Sequence, residues 1–132
     1  MSHLLDTDTC SAYLKSDPRV VARVMQHFGG LHVSVVTVGE LLTWALRSGA
    51  PQARLQGIQD LLANSTVIEV DLPVAERFGE LRAALFDRGR PVHEMDLFVA
   101  ATALVHNLVL VTHNVQHFAH IPGLTIDDWL VP

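Results

Sequence analysis

Short, β-branched or wholly apolar runs alternate with longer segments of helical period along this chain, and that alternation limits the folds open to it. His3-Leu4-Leu5-Asp6 reads as a short buried strand, which Thr7-Asp8-Thr9 turns into a helix. Pro18 to Phe28 carries Val20, Val21, Val24 and Phe28 on one helical face, and Gly29-Gly30 stops it. Leu31 to Val36 reads as the second strand. Thr37 then opens a helix through Leu41, Leu42, Ala45 and Leu46, and after Gly49-Ala50-Pro51 another runs from Gln52 to Leu62. Thr66 to Val70 is the third expected strand. Helices follow from Pro73 to the turn Arg88-Gly89-Arg90-Pro91 and from Glu94 to His106. Leu108 to Thr112 forms a fourth strand, and the tail from Leu124 to Trp129 adds an edge strand. Strands alternating with helices on this scale predict an α/β fold with a mostly parallel sheet of four to five strands covered on both faces.

Composition agrees with one packed domain over residues 1–132: 49% of the residues are hydrophobic and 17% charged. The N-terminus lacks the basic and apolar regions of a signal peptide, and no apolar run reaches the roughly 20 residues of a membrane span. The lone Cys10 has no partner for an internal disulfide, which suits a cytoplasmic location. A formal net charge of −5 counts against a nucleic-acid partner bound through a basic face alone. Either the partner is not a polyanion, or cations held by acidic residues mediate the contact.

Three acids are placed where the second option would need them. Ligands of open parallel sheets gather at the carboxyl ends of the strands. Asp6 ends the first strand, Glu40 is expected in the first turn of the helix after the second, and Asp96 in the first turn of the late helix. Each has a structural alternative. Thr37-Val38-Gly39-Glu40 fits a capping box, Asp96 complements a helix dipole, and Asp6 satisfies a turn. Together they point to chemistry, because crowded carboxylates repel one another unless protonated or bridged by a cation. Hard oxygen donors without companion thiolates select Mg²⁺ or Mn²⁺ over zinc.

The ordered motifs Leu4-Leu5-Asp6-Thr7-Asp8, Ser34-Val35-Val36-Thr37-Val38-Gly39-Glu40-Leu41, Asp96 to Leu104 and Leu110-Val111-Thr112-His113-Asn114 carry a family resemblance. With Phe118, Ile121-Pro122-Gly123-Leu124 and Trp129, the chain resembles the PIN-domain ribonucleases, in particular VapC-type toxins of bacterial toxin–antitoxin pairs. The resemblance implies a three-layer α/β/α sandwich and Mg²⁺- or Mn²⁺-dependent endoribonuclease activity, often on tRNA or rRNA. It also implies a homodimer and a cognate antitoxin in the acidic groove. The family's acids fall on Asp6, Glu40 and Asp96, expected to hold the metal. Its fourth position, frequently aspartate, falls on Asn114, an assisting group that adds no charge.

Secondary candidates are Asp8, otherwise an N-cap for a helix beginning near Thr9; Glu94, facing either the pocket or solvent; and Thr112, otherwise ordinary strand-end chemistry. Arg88 and Arg90 flank a glycine in an exposed turn, where they reach phosphate or simply solvent. Trp44 belongs either to a dimer surface or to the core, and Trp129 pins the tail. His113, His117 and His120 have the spacing of a zinc site but lack a convincing further ligand. Two other functions fit parts of the pattern. Asp6-Thr7-Asp8-Thr9-Cys10 resembles the opening motif of haloacid-dehalogenase-type phosphatases, and an acidic groove can serve as a non-catalytic dock for a basic partner.

Overall fold

The computed structural model describes residues 2–131. Its elements, in chain order, are β1 (His3–Leu5), α1 (Thr7–Leu14), α2 (Pro18–Gln26), β2 (Leu31–Ser34), α3 (Val35–Leu46) and α4 (Pro51–Ala63). They continue with β3 (Thr66–Ile68), α5 (Leu72–Asp87), α6 (Glu94–Val105), β4 (Val109–Val111), α7 (Val115–Phe118) and β5 (Ile126–Asp127). The strands form one sheet in the order β3-β2-β1-β4-β5, and every pairing is parallel.

Side chains alternate across a strand, so a sheet covered on both faces buries consecutive residues in different layers. Leu4 and Leu110 enter a cluster with Leu81, Leu85, Val99, Ala100 and Ala103, from the α5–α6 layer. Leu5 and Val111 point the other way, into a cluster with Cys10, Val20, Val24, Leu41 and Ile58 from α1 to α4. The result is the expected three-layer arrangement. Trp129 is fully buried in the second cluster, its ring stacked 5.2 Å from that of His27 and its Nε1 donating to Asp127 at 3.1 Å. It pins the C-terminal tail beside β5. Trp44 is half-buried against the same cluster, with the Arg54 guanidinium 4.1 Å from its ring centre.

Helix starts follow from short polar caps. Asp17 and Asp71 each accept a bond from a first-turn amide, and Pro18 and Pro73 fit the first turn, where a missing N–H costs nothing. Several expected boundaries move by a residue or more, β3 ending at Ile68 rather than Val70 among them, and two of the shifts bear on packing. Helix α2 ends at Gln26, not Phe28, and Gly29 at φ +91° turns the chain; Phe28 is left largely exposed. Helix α3 begins at Val35 and is capped by Ser34, whose hydroxyl accepts from Val36 N at 3.1 Å. Val35 and Val36 are therefore helical although β-branched, because the end of β2 supplies a cap three residues before Thr37. The capping box expected of Thr37 and Glu40 is absent, and Glu40 sits in the second turn.

Thr37 is completely buried and its Oγ1 has no hydrogen-bond partner. An unpaired buried hydroxyl is a cost with no return in stability. Ser34→Ala should lower unfolding free energy by about 1 kcal/mol in urea titrations. Thr37→Val should be neutral or stabilising; a loss as large as that of Ser34→Ala would place the cap where the sequence first suggested it.

Candidate functional site

The strand order reverses direction about β1: the chain moves outward to β2 and β3, then returns to the other side for β4 and β5. Such a switch point opens a crevice at the carboxyl ends of the strands. Asp6 follows β1 and Thr112-His113-Asn114 follows β4, so both sides of the crevice carry polar side chains. A small cleft of about 100 Å³ lies there, lined by Asp6, Thr7, Asp8, Glu40, Asp96, Val99 and Asn114. Residues far apart in sequence, from α1, α3, α6 and the β4–α7 turn, meet at this one place.

Asp6 is 7% exposed and caps α1, its Oδ1 accepting from Thr9 N at 2.8 Å. Asp8, expected as that cap, is instead an exposed first-turn residue, because the strand ends one step earlier and its last polar group takes the role. Burial pushes the Asp6 carboxyl above its ordinary range, hydrogen bonds from Thr112 and Thr9 pull it down in part, and the charge of Asp8 raises it further. Among the described residues, none of the ion pairs involves Asp6 or Glu40. Glu40 is half-buried and accepts from Thr7 Oγ1 at 2.6 Å. Asp96 is half-buried in the first turn of α6, with His117 Nδ1 3.6 Å from its carboxylate.

Asn114 donates from Nδ2 to Asp8 Oδ2 at 2.7 Å. A carboxylate only accepts, so the amide nitrogen must face Asp8 and the amide oxygen is what Asn114 can offer elsewhere. Thr112 is fully buried beneath the rim, where its Oγ1 accepts from Asn114 N at 3.0 Å. It shapes the turn and supports Asp6.

Other candidates lie apart. Glu94 pairs with Arg82 at 2.8 Å and borders a neighbouring apolar groove shared with Glu40, Met95 and Phe98, not the acidic cleft. Arg88 closes α5 as its C-cap, and Arg90 bonds His120, with neither lining the cleft. The three histidines diverge: His113 pairs with Asp128, His117 faces Asp96 and His120 meets Arg90. Each has a different partner, so their sequence spacing does not build a zinc site. Sequence reasoning missed Thr7 as the donor that orients Glu40. Its signal was present in Asp6-Thr7-Asp8, but the partner lies 33 residues away.

Among the described residues, no three carboxylate, imidazole or thiol groups close into a ready metal cage. The cleft is instead an open one lined with oxygen donors. These fit a hard divalent cation in kind: a desolvated aspartate held by neutral donors, two further carboxylates, an amide oxygen and no thiolate.

Against known proteins, the sequence matches the PIN domain over residues 3–124. The chain belongs to the PIN-domain family. It is 32% identical over 130 residues to the tRNA(fMet)-specific endonuclease VapC of Salmonella typhimurium, covering 98% of both chains. It is 30% identical to ribonuclease VapC2 of Haemophilus influenzae, covering 98% of this chain and 99% of the relative. Among solved structures it resembles DNA-bound VapBC from Salmonella typhimurium, with a TM-score of 0.93, 32% identity and 98% of each chain covered. VapBC-1 from nontypeable Haemophilus influenzae gives 0.85 at 30% identity, again over 98% of each chain. The α/β PIN fold expected from the sequence is thus the fold observed. PIN-domain nucleases generally depend on divalent metal ions, in keeping with the donor set. Neither the phosphatase reading of Asp6 nor the docking-module reading gains support from this membership.

The raised Asp6 carboxyl makes a signed prediction. A group that holds its proton more tightly folded than unfolded contributes stability below its unfolded value, near 3.8, and that contribution is lost as pH rises through the folded value. Above that range the burial of the Asp6 charge therefore counts against the metal-free fold. Asn caps a helix as well as Asp. In EDTA at pH 7, Asp6→Asn should melt at or above the parent temperature, with the difference shrinking as pH falls through the acidic range. A lower melting temperature at pH 7 would contradict the burial cost.

Proposed function

We propose that this chain is a metal-dependent endoribonuclease, the toxin of a toxin–antitoxin pair, with Mg²⁺ or Mn²⁺ held by Asp6, Glu40 and Asp96. The observation that carries the reading is the meeting of these three carboxylates around one cleft, in a chain whose full-length relatives are VapC ribonucleases. A divalent ion bound there supplies positive charge toward a phosphodiester and acidifies a bound water.

The chain's own residues prepare that site. Asp6 is held rigid by the Thr9 amide and kept from bulk water, so its charge acts in a low-dielectric setting. Thr7 fixes the Glu40 carboxylate by donating to one oxygen, leaving the other for a ligand. Asp8 orients Asn114, which leaves its amide oxygen free to face the cleft as a neutral acceptor that adds no charge. Three carboxylates, not four, then set the charge of the site. An acidic pocket that binds RNA through a cation also accounts for a net charge of −5 on an RNA-cleaving protein.

The substrate class is tRNA, by analogy with the tRNA(fMet)-specific relative. A cognate antitoxin follows from likeness to VapBC complexes, and such a partner would silence the enzyme by covering the acidic groove. A homodimer and a cytoplasmic location complete the reading. Among the described residues no helix is long and apolar enough to cross a membrane.

Expression in cells, followed by mapping of new RNA 5′ ends, tests this directly. The parent should arrest growth and generate discrete tRNA ends. Asp96→Asn should lower cleavage by about 100-fold or more, as expected when a group stabilising charge in the transition state is lost. Equal growth and no new ends with the parent, or full EDTA-sensitive cleavage by the purified variant, would overturn the assignment.

A further inference from the structure

The acidic cleft does not end at Asp96. His117, which faces that carboxylate, also lines a larger cavity of about 410 Å³ with Arg90, Pro91, His93, Gln116 and His120. The same imidazole borders a second polar hollow shared with His113 and Asn114. Helix α7 and its flanks thus form a continuous wall from the cleft to Arg90.

Arg90 lines this pocket with its charge set against an imidazole, not a carboxylate. Arg19 and Arg82 give theirs to Asp17 and Glu94, both at 2.9 Å or less, and Arg54 lies over Trp44. Arg90 instead bonds His120, with its Nη1 2.8 Å from the imidazole Nε2. A guanidinium has no acceptor, so Nε2 must accept, and the ring is neutral with its proton on Nδ1. The guanidinium keeps its full positive charge, and His120 adds a second donor. A fixed cation and a neutral N–H beside an acidic cleft form a complement for phosphate oxygens.

We propose that the Arg90–His120 pocket is an RNA phosphate subsite, holding the strand beside the scissile bond as it leaves the acidic cleft past His117. This rests on the ribonuclease reading and divides the labour within it: the cleft carries the chemistry, and the pocket holds the strand by direct charge. It also separates the two arginines of the exposed turn. Arg90 lines the pocket and takes the phosphate, whereas Arg88 does not line it.

Steady-state cleavage of labelled tRNA with Mn²⁺, across a salt series, tests the subsite. Arg90→Gln should raise KM about tenfold with kcat within about twofold of the parent. It should also flatten the slope of log(kcat/KM) against log salt by about 0.7 to 0.9, the loss of one phosphate contact. Arg90→Lys, which keeps the charge, should restore the slope. His120→Ala should raise KM about threefold while leaving the slope near parental, because the ring it removes is neutral. Arg54→Gln should change neither. Parental KM and slope in Arg90→Gln would overturn the subsite, as would equal losses of kcat in Arg90→Gln and Arg90→Lys, which would mark a purely structural role. Absence of EDTA-sensitive cleavage by the parent would instead overturn the ribonuclease reading, and the subsite with it.

Discussion

Asp6 is a carboxylate set into the carboxyl end of the central strand, almost out of water and held by hydroxyl and amide donors rather than by a cation. That arrangement is costly in isolation, because burial disfavours the charged form. The rest of the site is organised around it. The Thr9 amide bonds it from α1, Thr112 supports it from the end of β4, and Asp8 adds a second negative charge nearby. A fold that keeps a destabilised carboxylate in this position is one that gains when a positive ion binds it.

Sheet order turns this local feature into a site. With β1 between β2 and β4, the loops after β1 and β4 meet the helix that follows β2 and the start of α6, the helix that precedes β4. Glu40 and Asp96 therefore reach the Asp6 cleft from opposite directions without any of the three being near another in sequence. Rigid elements carry all three acids, while the short α7 is anchored by the buried Phe118. The wall that α7 makes ties the acidic cleft to Arg90, bonded to the His120 imidazole.

Most of the fold is legible in the sequence because both faces of the sheet are buried. Leu4-Leu5 and Leu110-Val111 have no polar alternation to confuse with a solvated strand, and Gly29 and Pro51 mark boundaries that backbone geometry enforces. The start of α3 lies earlier than the sequence suggests because Val35 and Val36 are β-branched, and local propensity gives no weight to the Ser34 cap. The same limit applies at the site. The acids could be named from motif order, yet Thr7 with Glu40, Asn114 with Asp8 and Arg90 with His120 are separated by 33, 106 and 30 residues. No periodicity reports such pairs; only the packing of the sheet brings them together.

Calorimetric titration of the parent and of Asp6→Asn with Mn²⁺ addresses the role of the buried carboxylate most directly. The parent should bind the ion with proton release at mildly acidic pH, because binding must displace the proton that burial favours on Asp6. Asp6→Asn should lose both the tight binding and the proton release. Undiminished Mn²⁺ affinity in Asp6→Asn would contradict the claim that this site is a carboxylate-held metal centre.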